Sequence, residues 1–238
     1  MMTLRALASL FLSVRLLAMV ASMVAVLVGG TVPAHAQFLA GQLENLLSTE
    51  DRTVRITGLS GALSGNVRIE EVTVSDRDGV WLTASDLALD WSPLALVRRN
   101  VSVENLSAGR IVLDRLPRAP LTPAPADEEG GGFSLPAITA DVRRISIGEF
   151  VLGEAVANVP ARLSAEVSLQ LQPDPAQIVA NATLRRLDQA GDVALQLAFA
   201  PDANRLEISV QASEPAGGLV AGLLDIPGAP PVSLNIQG

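Results

Sequence analysis

The chain has 238 residues, is 49% hydrophobic but only 3% aromatic, and carries a formal net charge of -8. That length suits one or two domains, and a core built from Val, Leu, Ile and Ala suits pleated, half-buried surfaces. The acidic balance argues against nucleic acid as a partner, because no basic patch is available to displace counterions, and equally against electrostatic docking on anionic headgroups.

The chemical inventory is narrow. There is no Cys, which removes disulfides, thiolate nucleophiles and Cys-based metal sites together. Every basic residue is Arg, Tyr is absent, and the one His is His35. Beyond residue 36 the chain therefore has no His, Cys, Lys or Tyr, so the commonest general bases and nucleophiles are missing. The sequence reads as non-enzymatic, with no catalytic residue, no metal site and no cofactor.

Arg5 and Arg15 precede an uncharged run from Leu16 to Val32, and Ala34-His35-Ala36 follows it. As a helix the run spans about 25 Å, against roughly 30 Å of hydrocarbon. Residues 1–36 read as a signal peptide or a signal anchor, with a candidate cleavage point after Ala36. The basic residues place the N-terminus in the cytoplasm and everything after Gln37 on the far side of the membrane. Without Arg5 and Arg15, residues 37–238 keep 15 basic and all 25 acidic side chains, net -10.

Phe38, Leu39, Leu43, Leu46 and Leu47 stand near helical spacing, which predicts a short amphipathic helix over 38–48. The period then becomes two. Leu163 to Leu171, Val193 to Phe199, Leu206 to Ala212 and Val232 to Ile236 each put one apolar row on one face of a strand. Earlier strands switch parity midway: Val67 and Ile69 give way to Val72 and Val74, Val80 and Leu82 to Leu87 and Leu89, and Ile145 and Ile147 to Phe150 and Leu152. A switch of this kind predicts a bulge or a bend, and strands sharing it curl a sheet.

Asp76-Arg77-Asp78-Gly79 reads as a hydrophilic turn in preference to a cation site, since a calcium loop needs further carboxylates. Glu70-Glu71 reads as part of the parity switch in preference to a catalytic carboxylate pair. Gly58 to Gly65 is a Gly/Ser-rich bend that lacks a phosphate loop's Lys ending. Trp81 and Trp91 read as core packing more than as interfacial anchors. Ser92-Pro93 predicts a helix start, Pro201 to Asn204 a hairpin loop, and Gly217 to Leu224 a helical turn. Residues 117–136 combine Pro, Gly and an acidic run and read as a flexible linker. The domain reading is thus 1–36 export segment, 37–116 first β segment with its amphipathic helix, 117–136 linker, and 137–238 second β segment.

The stretch from Arg52 to Pro117 carries a recognisable series. It runs Ile56-x-Gly58-Leu59-x-Gly61, then Asp76-x-x-Gly79-Val80-Trp81-Leu82, then Asp90-Trp91-x-Pro93-x-Ala95-Leu96, and ends Arg115-Leu116-Pro117. This resembles the N-terminal region of the TamB family, the inner-membrane subunit of the translocation and assembly module, within the AsmA-like group. The resemblance implies a mainly β fold: an elongated, curled antiparallel sheet forming an open groove, with an N-terminal signal or anchor helix and one or two short helices. It implies a periplasmic, non-enzymatic protein of the bacterial envelope. Such a protein moves phospholipid between inner and outer membranes, assists outer-membrane protein assembly and secretion, or does both. Its implied partners are phospholipid acyl chains, the inner membrane through the N-terminal segment, and an outer-membrane barrel through a C-terminal region this sequence lacks. Asp225 to Gly238 resembles the start of a further repeat, so the chain reads as a piece of a longer one.

Within such a groove the apolar rows become the lining: Leu169, Leu171, Val193, Leu195, Leu197, Phe199, Leu206, Ile208 and Val210. The alternative is a purely structural periplasmic β-domain whose apolar faces are sealed in a closed core.

Overall fold

The computed structural model describes residues 36–61, 64–98, 100–118, 139–223 and 226–238. The expected export helix, and the linker apart from Pro117 and Arg118, lie outside these residues. Among the described residues no helix is long and apolar enough to cross a membrane.

The chain is mainly β. Ten strands form one open sheet in chain order: β1 Thr53–Thr57, β2 Asn66–Asp76, β3 Gly79–Trp91, β4 Asn100–Leu113, β5 Thr139–Leu152, β6 Ala161–Pro173, β7 Ala176–Arg186, β8 Asp192–Ala200, β9 Arg205–Glu214 and β10 Val232–Gln237. Among the described residues three short α-helices accompany them, α1 Ala36–Leu47, α2 Glu154–Ala157 and α3 Leu219–Leu223, with 3-10 turns at Pro93–Arg98 and Pro201–Ala203. α2 exceeds the one or two helices expected, and its four residues are too few to show a helical period.

The expectation of an antiparallel sheet needs one correction. β4 and β5 pair in parallel, from Asn100 opposite Thr139 to Leu113 opposite Leu152. The connection between them is long enough to return the chain to the start of the sheet, which a parallel pair requires and a tight turn forbids. The sheet is therefore continuous from the strands before residues 117–136 to those after.

α1 guards the first edge. Leu43 and Leu47 are buried, while Leu46 is exposed. Glu44 Oε1 accepts from Ile56 N–H at 2.6 Å and Ser48 Oγ from Val54 N–H at 2.9 Å. These side chains occupy the outward donors of β1, so that edge cannot template another strand. Arg52 donates to the Leu47 carbonyl through Nε and Nη2, satisfying the helix end.

The parity switches fall side by side. Ile69, Leu87, Ala108 and Ile147 form one cross-strand row, and Val72, Ala84, Ile111 and Phe150 the next. Between the rows lie Glu70-Glu71, Ser85-Asp86, Gly109-Arg110 and Gly148-Glu149, two residues in each strand where the pleat would allow one. All four strands carry the extra residue, so the register from β2 to β5 passes this line unshifted. β6 carries only Ser164 between Leu163 and Ala165, and the mismatch appears there as a register shift in β5 between Ile147 and Phe150. The result is a crease across four strands. It demands small residues: a Cβ at Gly109 would lie 2.8 Å from Asp86 Cβ, and one at Gly148 would lie 2.8 Å from the Gly109 carbonyl oxygen. Arg110 and Arg162 both reach Glu149, at 2.8 and 2.6 Å, tying β4, β5 and β6 together on the polar side of the crease.

Candidate functional site

One face of the sheet is apolar from edge to edge, but its burial is uneven. Across β1 to β4 it is largely sealed: Val54, Ile56, Val67, Ile69, Val72, Val74, Leu82, Leu89, Val103 and Leu113 are buried, with Val74 0% exposed, and Leu87 and Leu106 are partly so. Trp81 and Trp91 belong to the same core. Across β6 to β9 Leu163, Ala165 and Ala212 are buried and the remaining rows are half-open, and at β10 Leu234 and Ile236 are 38% and 45% exposed.

The register assembles the half-open part. Leu169 faces Ala180, which faces Leu197, which faces Ile208. Leu171, Ile178, Phe199 and Leu206 form the next row, and Val167, Ala182, Leu195 and Val210 the row on the other side. Directly opposed residues share a face, so all nine sequence-derived residues stand together: Leu169, Leu171, Val193, Leu195, Leu197, Phe199, Leu206, Ile208 and Val210. Eight are half-buried and Leu206 is 55% exposed. Unbroken period-two alternation in β6, β8 and β9 places them there.

Sequence reasoning missed β7, which lies between β6 and β8 and supplies Ile178, Ala180, Ala182 and Leu184 to these rows. Its signal was present in Ala176-x-Ile178-x-Ala180-x-Ala182-x-Leu184, but the two central alanines give little contrast with the polar face. They matter for shape, because short side chains leave the middle of the face shallow.

The two ends of this face differ. Near Phe199 and Leu206 the strands turn through Asp174-Pro175 and Pro201 to Asn204, and no helix covers them among the described residues. At the other end the row through Leu163 continues into Arg186, then Gly191, then Glu214. Arg186 and Glu214 are both buried on the apolar face, 7% and 5% exposed. Gly191 lacks a side chain between them, and a Cβ there would lie 3.0 Å from Arg186 Cγ and 3.3 Å from Glu214 Cγ. Arg186 donates to Asp188 through Nε and Nη2 at 2.8 and 2.9 Å, which lowers the Asp188 pKa. Arg186 Nη1 is buried and has no partner among the described residues. Glu214 Oε2 accepts from Val220 N–H of α3 at 2.6 Å. Sequence gave no hint of this cluster, since an Arg closing a strand reads as a solvated end.

The acidic turn at Asp76 is structural. Its carboxylate accepts from Arg115 Nη2 and Nη1 at 2.6 and 2.9 Å and from the Arg118 and Asp78 amides. Asp78 pairs with Arg118. These contacts hold the Asp76 carboxyl well below the usual carboxylate range, the Arg115 hydrogen bonds first among the causes. They pin the β2–β3 turn to the segment leaving β4. A lowered folded pKa gives stability that is full above the unfolded value, about 4, and declines as pH falls toward the folded one. Asp76→Asn is therefore expected to lower the melting midpoint at pH 7. The gap from the parent protein should narrow progressively below pH ~4. Melts across that range check it; a gap that does not change with pH would show that the charge contributes nothing.

Among the described residues no group of His, Cys, Asp and Glu is arranged to hold a metal ion. No protein-family model, curated protein or solved structure matches this chain.

Proposed function

We propose that the chain is a non-enzymatic lipid conduit of the bacterial envelope: a curled sheet whose half-open apolar face shelters acyl chains. The observation that carries this reading is the burial gradient along a single face, largely sealed over β1 to β4 and half-exposed over β6 to β9 from Val167 to Leu171 and across the rows that oppose them. A soluble domain normally covers such rows, because contiguous exposed apolar surface is unfavourable in water and marks an interaction site. Each acyl CH₂ sheltered against it contributes about 0.8 kcal/mol.

Curling is supported by the helices. α2 leaves β5 and α3 leaves β9, yet Asn158 Nδ2 donates to the Gly222 carbonyl at 3.2 Å. On a flat sheet β6 and β9 stand roughly 14 Å apart, at ~4.8 Å per strand spacing. An open sheet is compatible with the groove that the TamB resemblance implies, and we extend it to function: passage of phospholipid across the periplasm, with assistance to outer-membrane protein assembly and secretion as the related role.

Lipid mass spectrometry on purified protein, before and after delipidation, tests this. Acyl lipids should co-purify and return from vesicles to the stripped protein. A protein that never carries or regains an acyl chain would leave the closed structural domain as the better reading. The envelope location has its own test. A reporter fused after Gly65 in the full export context should be active only in its exported form, and a cytoplasmic signal would overturn the placement.

A further inference from the structure

The two short helices that meet over the Arg186 end of the apolar face form a small and imperfect closure. Ala157 of α2 and Ala221 of α3 are 1% and 0% exposed, so the contact is dry. It is also close. Gly222 lies where a Cβ would come within 2.7 Å of the Ala157 carbonyl oxygen. The hydrogen bond from Asn158 Nδ2 to Gly222 O is the polar link between the two helical segments. Asn158 directly follows α2 at φ 61, and Gly217 lies two residues before α3 at φ 76. Such positions commonly absorb the backbone change of a hinge.

What lies at this end disfavours permanent closure. Arg186 and Glu214 are buried on an apolar face, and Arg186 Nη1 has no acceptor among the described residues. A buried donor left unpaired opposes the state that buries it. Glu214 is bonded to Val220, so any movement of α3 changes the surroundings of this pair directly. The apolar α2–α3 contact thus lies at the same end of the face as a buried guanidinium with one N–H group unpartnered among the described residues.

We propose that the α2–α3 contact is a gate at one end of the acyl-binding face. Closed, it makes the groove blind at Arg186; open, it lets a chain enter or leave past Leu163 and Ala212. The proposal rests on the conduit reading and specifies how that site is regulated.

The absence of Cys allows a direct test in the full chain. A Cβ at Gly222 would lie 3.3 Å from Val159 Cγ2 but also 2.7 Å from the Ala157 carbonyl oxygen, so Val159→Cys with Gly222→Cys closes a disulfide across the contact only with a small shift of the Ala157 backbone, for which the reduced double variant is the control. The probe is a fluorescent fatty acid, loaded from and released to phosphatidylcholine vesicles. The oxidised form should load and release it about tenfold more slowly than the same protein reduced, what ~1.4 kcal/mol of added barrier gives, with affinity and stoichiometry unchanged. Asn158→Gly keeps the left-handed backbone, removes the amide, and should speed release without any cross-link. It also serves as the test if the double variant does not fold. Equal rates in locked and reduced forms, or an Asn158→Gly release rate equal to the parent's, would overturn the gate while leaving acyl binding intact. A parent protein that takes up no probe would overturn the conduit reading and the gate with it.

Discussion

Val74→Arg is expected to prevent folding. Val74 is 0% exposed and stands between Val54 of β1 and Leu82 of β3, both buried. A guanidinium there has no acceptor positioned for it and no short path to water. An uncompensated buried charge costs about 3–5 kcal/mol or more, comparable with the ~5–15 kcal/mol that holds a whole domain. Overpacking adds to this, because Arg is far larger than Val and the neighbouring strands lie only ~4.8 Å away. Far-UV dichroism at 25 °C and a thermal melt are sufficient measurements. A Val74→Arg protein with the parent's spectrum and midpoint would mean that the β1 to β4 face is not sealed, and the contrast on which the functional reading depends would be lost.

Burial at Val74 is partly legible in the sequence. Val72 and Val74 alternate with polar residues, so burial of their row follows from a period of two. The same holds for α1, whose Leu spacing is helical, and for the β8–β9 hairpin, bounded by Pro201 and Asn204. Each is a local pattern read within about ten residues. The crease is different. Single parity switches at Glu70-Glu71 and near Ile147 are visible in sequence, but their alignment depends on Ile69 facing Leu87, Leu87 facing Ala108 and Ala108 facing Ile147. Register is a property of pairs of strands, so no one strand announces it. The parallel β4–β5 pair was hidden for a related reason, since period-two alternation is the same in both strand directions. Arg186 and Glu214 were hidden because burial of a polar residue at a strand end follows from what crosses above it. For Glu214 that is α3, which folds back after β9 so that Val220 N–H meets the carboxylate.

Leu195→Arg is the companion experiment, the same charge on the same face, and the expected result is opposite: a folded protein with little or no co-purifying lipid. Leu195 lies in β8 between Ala182 and Val210 and is half-buried, not sealed. Short neighbours at Ala180 and Ala182 leave room for the stem of an Arg. Its aliphatic part can lie along Leu197 or Val193 while the guanidinium extends to water, so the charge is not desolvated. The cost to folding should then be about 1 kcal/mol or less, set by lost apolar contact, and the melt should move by a few degrees. Lipid binding should suffer far more. A cation in the middle of the face interrupts the apolar rows from Leu171 to Leu184, and an acyl chain laid across it would strip water from the charge. Loss of most bound lipid, with dichroism unchanged on the same sample, is the predicted pair of readings. If Leu195→Arg unfolds as Val74→Arg does, the face is a closed core throughout and the protein is a scaffold. If it folds and keeps its full complement of lipid, acyl chains lie elsewhere on the molecule, and the rows on β6 to β9 are not where they bind.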